Sequence, residues 1–185
     1  ASVQVLWNVF DGIGAGIYCE QNSSVAISNN TITNGTIGIY GIWSSPTIIG
    51  NTITDNSWSI WSEYAAPANA GTNGAGLVSD NPGLGNNVEG RVIQLWSAAI
   101  RVVDGNGTPL QGVLVEVIPF NETTPIFTGY TDGDGMTSYF QATQYVIASD
   151  GTLILKNPYE VRVNLVPVTA SPTFDHNGVY QVTSP

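Results

Sequence analysis

Apolar and polar positions alternate with period two along most of this chain, and over its first third the alternation itself recurs. The steps Asn8-Val9-Phe10, Asn30-Thr31-Ile32 and Asn51-Thr52-Ile53 lie 22 and then 21 residues apart. In that register Val5, Ile27 and Ile48 share a column, as do Ala15, Ile37 and Trp58, and Ile17, Ile39 and Ile60. Tyr18, Tyr40 and Trp61 form an aromatic column one residue later, and Gln21, Trp43 and Tyr64 a mixed one. A constant period of this size predicts a solenoid whose units bury their apolar faces on one another.

Segments such as Thr36–Tyr40 and Ser57–Trp61 place β-branched and aromatic side chains at period two, which predicts strand and not helix. Asn and Gly gather between them, where corners need residues that tolerate left-handed backbone. A coil of about 22 residues holding two or three short strands is the size of one rung of a right-handed parallel β-helix, with equivalent residues stacked at about 4.8 Å. Asn8, Asn30 and Asn51 are then placed to form an Asn ladder. The strings ISNNTITNGTIGIYG and IIGNTITDNSWSIWS resemble the parallel β-helix repeat family of secreted and surface proteins. That resemblance implies the fold and says almost nothing about activity.

Residues 1–64 are thus expected to form three coils. Solenoid ends normally carry caps over their apolar faces and strand edges. The first coil shows none, because Val3, Val5 and Phe10 are already repeat positions, so that end is expected either to continue into a longer protein or to be covered by a neighbouring subunit. Residues 65–95 break the period. The run AAPANAGTNGAG reads as a loop, and Asn87-Val88-Glu89 is a candidate start for a degenerate fourth coil.

From residue 96 the pattern predicts a second domain of antiparallel strands. Ile100–Val103 leads into the turn Asp104-Gly105-Asn106-Gly107. Gly112–Phe120 follows, with Val113, Val115 and Val117 on one face and Leu114, Glu116 and Ile118 on the other. A second turn, Asp132-Gly133-Asp134-Gly135, sits between two further strands. Tyr159–Leu165 alternates, with Val161, Val163 and Leu165 inward, and Gly178–Thr183 supplies a last strand. About seven short strands with such turns predict a β-sandwich. The run VVDGNGTPLQGVLVEV and the later FTGYTDGDG resemble carboxypeptidase-regulatory-like, Ig-like sandwich modules, which are accessory and structural. A β-helix followed by such a module resembles archaeal and bacterial cell-surface proteins. The fold class expected is all-β: a short parallel β-helix (1–64), a connection (65–95) and an Ig-like sandwich (96–185).

Charge removes several function classes. Only 10% of the residues are charged and the formal net charge is −10. The cations are Arg91, Arg101, Lys156 and Arg162, so residues 1–90 hold none. Nucleic-acid binding needs a basic footprint that is missing, and attraction to an anionic membrane is disfavoured for the same reason. No apolar run approaches the roughly 20 residues of a membrane-spanning helix. Low Lys content with abundant Asn, Thr, Ser and Gly suits an extracellular or cell-surface setting. Five glycosylation sequons begin at Asn22, Asn29, Asn34, Asn106 and Asn121. Cys19 is the single cysteine, which excludes an internal disulfide. It aligns with Gly41 and Ser62 in a small-residue column, with an intermolecular disulfide or reactive thiol as the alternative.

Catalysis is not expected. β-Helix enzymes acting on polysaccharides cluster acids with basic residues, and glycosyl cleavage needs two carboxylates at a set separation. The coils offer Asp11, Glu20, Asp55 and Glu63 with no Lys, Arg or His, and His176 stands alone. No cofactor is implied apart from calcium at Asp132 and Asp134, whose turn offers oxygen ligands but lacks the ligand spacing of an EF-hand. The out-of-phase aromatics Tyr18, Tyr40, Trp43, Trp61 and Tyr64 are expected to face outward and mark a contact surface. The reading is an extracellular structural protein that assembles end to end through Val3, Val5, Phe10 and the aromatic strip. The alternative is a carbohydrate-binding or adhesive fragment that uses the same aromatics on glycans.

Overall fold

The computed structural model describes residues 3–21, 24–71, 74–85, 87, 90–168 and 171–185. It is all-β, as the alternation implies, apart from one short helix. Two compact units divide it: Ala1–Leu95 with Tyr145–Ile154, and Trp96–Gln144 with Leu155–Pro185.

The first unit is a parallel β-helix. Coil one contains β1 (Val3–Leu6), β2 (Val9–Asp11) and β3 (Ala15–Glu20). Coil two contains β4 (Val25–Ser28), β5 (Thr31–Thr33) and β6 (Ile37–Ile42), and coil three contains β7 (Thr47–Ile49), β8 (Thr52–Thr54) and β9 (Trp58–Glu63). Every pairing between coils is parallel and keeps the register read from the sequence: Val5↔Ile27↔Ile48, Phe10↔Ile32↔Ile53, and Tyr18↔Tyr40↔Trp61. A fourth turn follows the six-residue helix α1 (Ala75–Asp80). In it β10 (Gly83–Gly85) pairs with β8, and Gly90–Leu95 of β11 (Gly90–Val103) pair with β9.

Corners follow one rule. In each of the first three coils the three turning residues sit at positive φ: Trp7, Asn29 and Gly50; Gly12, Asn34 and Asp55; Gln21, Trp43 and Tyr64. Gly, Asn and Asp adopt this region readily, whereas for bulky residues it costs about 1–2 kcal/mol each. Repetition of one corner conformation is what keeps the coils superimposable.

The interior is a stack of Ile side chains. Ile27, Ile48, Ile32, Ile53, Ile39 and Ile60 are all essentially inaccessible, each contributing about 1.5–3 kcal/mol of apolar burial. Gly16 and Gly38 sit where no side chain fits, although Ser59 fills the same column in coil three. A Cβ on Gly38 would lie 2.3 Å from Ile53 Cγ2 and 2.6 Å from Ser59 O. Two Asn ladders fasten the corners. Asn8, Asn30, Asn51 and Asn81 form the first, and Asn56 with Asn87 the second.

In the second unit β12 (Leu114–Ile118) lies between β13 (Phe127–Tyr130) and the later β16 (Glu160–Val163), antiparallel to both. The strands β14 (Phe140–Ala148) and β15 (Leu153–Leu155) intervene in sequence, and β17 (Val166–Pro167) extends the sheet from β16. Val115 and Val117, paired with Val163 and Val161, are fully buried. Around Phe174 pack Tyr159, Phe140 and Tyr180, with ring centroids 4.7, 5.7 and 4.6 Å away. The closing strand β18 (Gly178–Thr183) runs parallel, not antiparallel, to Ala98–Val103.

Several local expectations need correction. The run read as a loop, residues 65–76, ends inside α1, because Leu77 enters the coil core together with Ala70, and Ala66 and Val78 pack against it. Ile118, assigned to the outer face of its strand, is buried at the strand end beside buried Pro119. Leu165, assigned inward, is 64% exposed. It follows Asn164 in a tight β16–β17 turn where both residues have positive φ, which swings the side chain outward.

Candidate functional site

Three regions carry the residues singled out by the sequence. The first is the terminal face of coil one. Strands β1, β2 and β3 each lie at the edge of their sheet. Val5 and Phe10 are only half-buried where their partners in later coils are sealed, and Val3, Trp7 and Val9 are exposed. The ladder gives this face a polarity. Asn8 donates its backbone N–H and its side-chain amide to Asn30 Oδ1 at 3.0 and 3.2 Å, and its second amide hydrogen to Leu6 O. Asn8 Oδ1 accepts no hydrogen bond among the described residues. Each later Asn repeats the bond in the same sense, so the face presents an acceptor. Asn81, at the far end of the ladder, is buried, and α1 packs on β7 there.

The second region is the outward face of β3, β6 and β9. Tyr18 and Trp43 are about half exposed, and Tyr40, Trp61 and Tyr64 partly so. Tyr18 meets Tyr40 edge-on at 5.3 Å, and Trp43 meets Tyr64 at 4.6 Å with a 31° tilt. Beside Tyr40 and Trp61 lies Glu63, only 9% exposed. Trp61 Nε1 donates to Glu63 Oε1 at 2.7 Å, and Tyr40 also hydrogen-bonds this carboxylate. Tyr18 donates to Glu20 Oε2 at 3.2 Å. Burial, with Glu63 nearby, pushes the Tyr40 hydroxyl up to about 12. Desolvation followed by Glu20 raises Tyr18 in the same direction. Burial of Glu63 has no signal in the linear string. Its pairing neighbours Ile42 and Leu95 are the reason.

The third region is the pair of Asp-Gly turns in the second unit. Asp132 Oδ1 accepts the backbone N–H groups of Asp134 and Met136, both at 2.9 Å. Asp104 Oδ1 does the same for Asn106 and Thr108 at 2.8 Å, which holds its carboxyl below the usual range. Asp132 therefore closes its turn, and Asp134 is exposed with its carbonyl facing Arg101. Among the described residues no three His, Cys, Asp or Glu side chains converge as metal ligands.

The remaining candidates are scattered. Asn29, Asn34, Asn106 and Asn121 are exposed, and Asn22 lies outside the described residues, as do Val88 and Glu89. Asn34 Nδ2 donates to Asp11 Oδ1 at 2.7 Å, and Thr33 adds a second bond; together they lower the Asp11 carboxyl. Cys19 faces the coil interior, and burial raises its thiol. His176 contacts Asp175 and Tyr180 at the surface. Among the described residues no helix is long and apolar enough to cross a membrane.

A family model described as periplasmic copper-binding protein (NosD) matches residues 1–106. No curated protein and no solved structure matches the chain. The periplasmic description agrees with the extracellular or cell-surface location that the composition indicates, and that is where this chain belongs. Its donors do not fit copper. Copper favours thiolate, thioether and imidazole ligands. Within the matched residues Cys19 is the sole such group, sealed among aliphatic side chains, while Met136 and His176 fall outside them. The match nevertheless covers every coil and more than half of the 185 residues, and the chain belongs to the NosD family of periplasmic copper-binding β-helix proteins.

Proposed function

We propose that this chain is a non-catalytic structural protein of the cell surface that assembles through the terminal face of its first coil. The second unit, as an Ig-like sandwich, acts as a spacer. One observation carries the reading: among the described residues the interior of coil one is partly open while the ladder end beyond coil three is sealed. An unpaired set of strand edges over a half-buried apolar interior favours association. Ladder polarity supports a heterologous contact. Two copies docked face to face would oppose their Asn8 acceptors, whereas a neighbour's other surface is free to supply N–H donors. Heterologous contacts that do not close into rings propagate into fibres.

Negative-stain electron microscopy and sedimentation velocity over a concentration series test this. Filaments or concentration-dependent oligomers are expected. The double variant Val3→Lys, Val9→Lys alters only exposed edge positions and should leave monomers with an unchanged melting temperature. Monomers of the unaltered chain at every concentration would sink the reading.

A further inference from the structure

Glu63 presents a problem that the coil stack does not solve. It is a carboxylate nine-tenths buried, and buried carboxylates are normally paired with an opposite charge. None of the ion pairs among the described residues includes it. No Lys, Arg or His occurs anywhere in residues 1–90. Its hydrogen bonds from Trp61 and Tyr40 orient it without neutralising it.

What surrounds Glu63 is equally specific. Tyr18, Tyr40 and Trp61 lie on one side along the strands, and the Trp43–Tyr64 pair lies at the adjacent corner. Aromatic faces attract cations through their ring quadrupoles, most strongly for Trp and where water is partly excluded. Glu20 adds a second carboxylate in the same outward column, two strands from Glu63 with Ile42 between them, about 10 Å away at the usual inter-strand spacing. Trp43 and Tyr64 hold φ near 51° and 63°, a left-handed backbone that bulky residues pay to adopt. At the other corners the chain mostly uses Gly, Asn or Asp.

We propose that this face binds an organic cation, of guanidinium or alkylammonium type, seated on the Trp43 and Tyr18 rings with Glu63 and Glu20 as countercharges. A neutral sugar would use the rings but would leave the buried carboxylate uncompensated. An acidic ligand is repelled. This site is separate from the coil-one edge, so it stands or falls independently of the assembly reading.

The test is titration of the full chain with N-acetyl-arginine amide, tetramethylammonium and a neutral oligosaccharide, cellohexaose, followed by Trp fluorescence and calorimetry. Both cations should bind and the sugar should not. Raising ionic strength from about 0.01 to about 1 M, which shortens the Debye length from about 30 to about 3 Å, should weaken cation binding several-fold. Glu63→Gln keeps an acceptor for Trp61 and should weaken it about tenfold or more, close to the 1.4 kcal/mol equivalent of one decade. Trp43→Asn suits the left-handed corner and should also lose affinity without losing melting temperature. If Glu63→Gln fails to fold, the exposed Glu20→Gln and Trp43→Asn variants carry the test. An Arg-Gly-Arg peptide that binds more tightly than the amide would place the cation on a polypeptide, and equal binding would point to a free small molecule. Salt-insensitive binding of cellohexaose, or cation binding indifferent to Glu63→Gln and Trp43→Asn, overturns the proposal. So does the absence of binding by either cation.

Discussion

Asn30 directs both its backbone N–H and its side-chain amide at one atom, Oδ1 of Asn51, at 3.0 and 2.9 Å. Both residues are 1% exposed. Asn51 repeats the arrangement toward Asn81 and spends its remaining contacts on Ile27 O and Ile49 O. A buried corner with several unpaired backbone groups is thus satisfied by one side chain per coil. Asn51→Ala strands a buried N–H and carbonyls that water cannot reach. Each such group costs about 1–3 kcal/mol, so the variant should lose at least about 3 kcal/mol in denaturant unfolding. Asn8→Ala, at the exposed end of the ladder, should lose about 1 kcal/mol.

The glycine column makes an equally local prediction. Gly38→Ala drives a methyl group against Ile53 and against the backbone oxygen of Ser59, and backbone cannot move aside as a flexible side chain can. Overpacking of this kind costs about 1–3 kcal/mol. Gly85→Ala meets nothing within 4 Å and should change stability by less than about 0.5 kcal/mol. Thermal melts of the pair separate packing at one glycine from a general effect of losing glycine.

How much of this was legible beforehand depends on the length scale of the signal. The register of three coils was readable because Asn, Ile and aromatic residues recur at 21–22 residues in one linear string. Asn81 escaped because the ladder takes 30 residues between Asn51 and Asn81, the detour occupied by α1. Asn87 stands out in the string, but its stacking on Asn56 does not, since Gly35 leaves the same position blank one coil earlier. The outward aromatics followed from phase alone. Burial of Glu63 did not, because it depends on which residues flank it from neighbouring coils. In the second unit the Leu165 error arose because Asn-Leu is not a usual turn pair, so nothing in the string stopped the strand at Val163.

Tyr145 offers a stabilising change. Its ring lies in the first unit's core at 2% exposure, and its hydroxyl has no hydrogen-bond partner among the described residues. A polar atom buried without a partner is a net cost, and removing it while keeping the ring recovers part of that cost. Tyr145→Phe should raise stability by about 1 kcal/mol, read as a higher denaturant midpoint with an unchanged slope.

The same hydroxyl sets an alkaline limit. Burial pushes both Tyr145 and Tyr40 up to about 12, from 10.0 in the unfolded chain. A folded-state value above the unfolded one means that the native state holds the proton more tightly. The associated stability is complete below pH 10 and disappears as pH rises toward about 12. The melting temperature should therefore fall across that window, alongside the tyrosinate absorbance. Tyr145→Phe should show a shallower fall.

Copper should bind the unfolded chain better than the folded one. A ligand held only by the native state raises stability by about 2.7 kcal/mol at a hundredfold excess over its dissociation constant. Here the native donors are dispersed: Cys19 is sealed in the coil core with its thiol raised, while Met136 and His176 lie in the second unit. Unfolding exposes Cys19 and lets all three approach one ion. Excess copper(I) should accordingly leave the melting temperature unchanged or lower it, and Cys19→Ser should abolish any lowering. A rise in melting temperature that disappears in Cys19→Ser would mean that the folded coils do hold the metal, and that the donor argument fails.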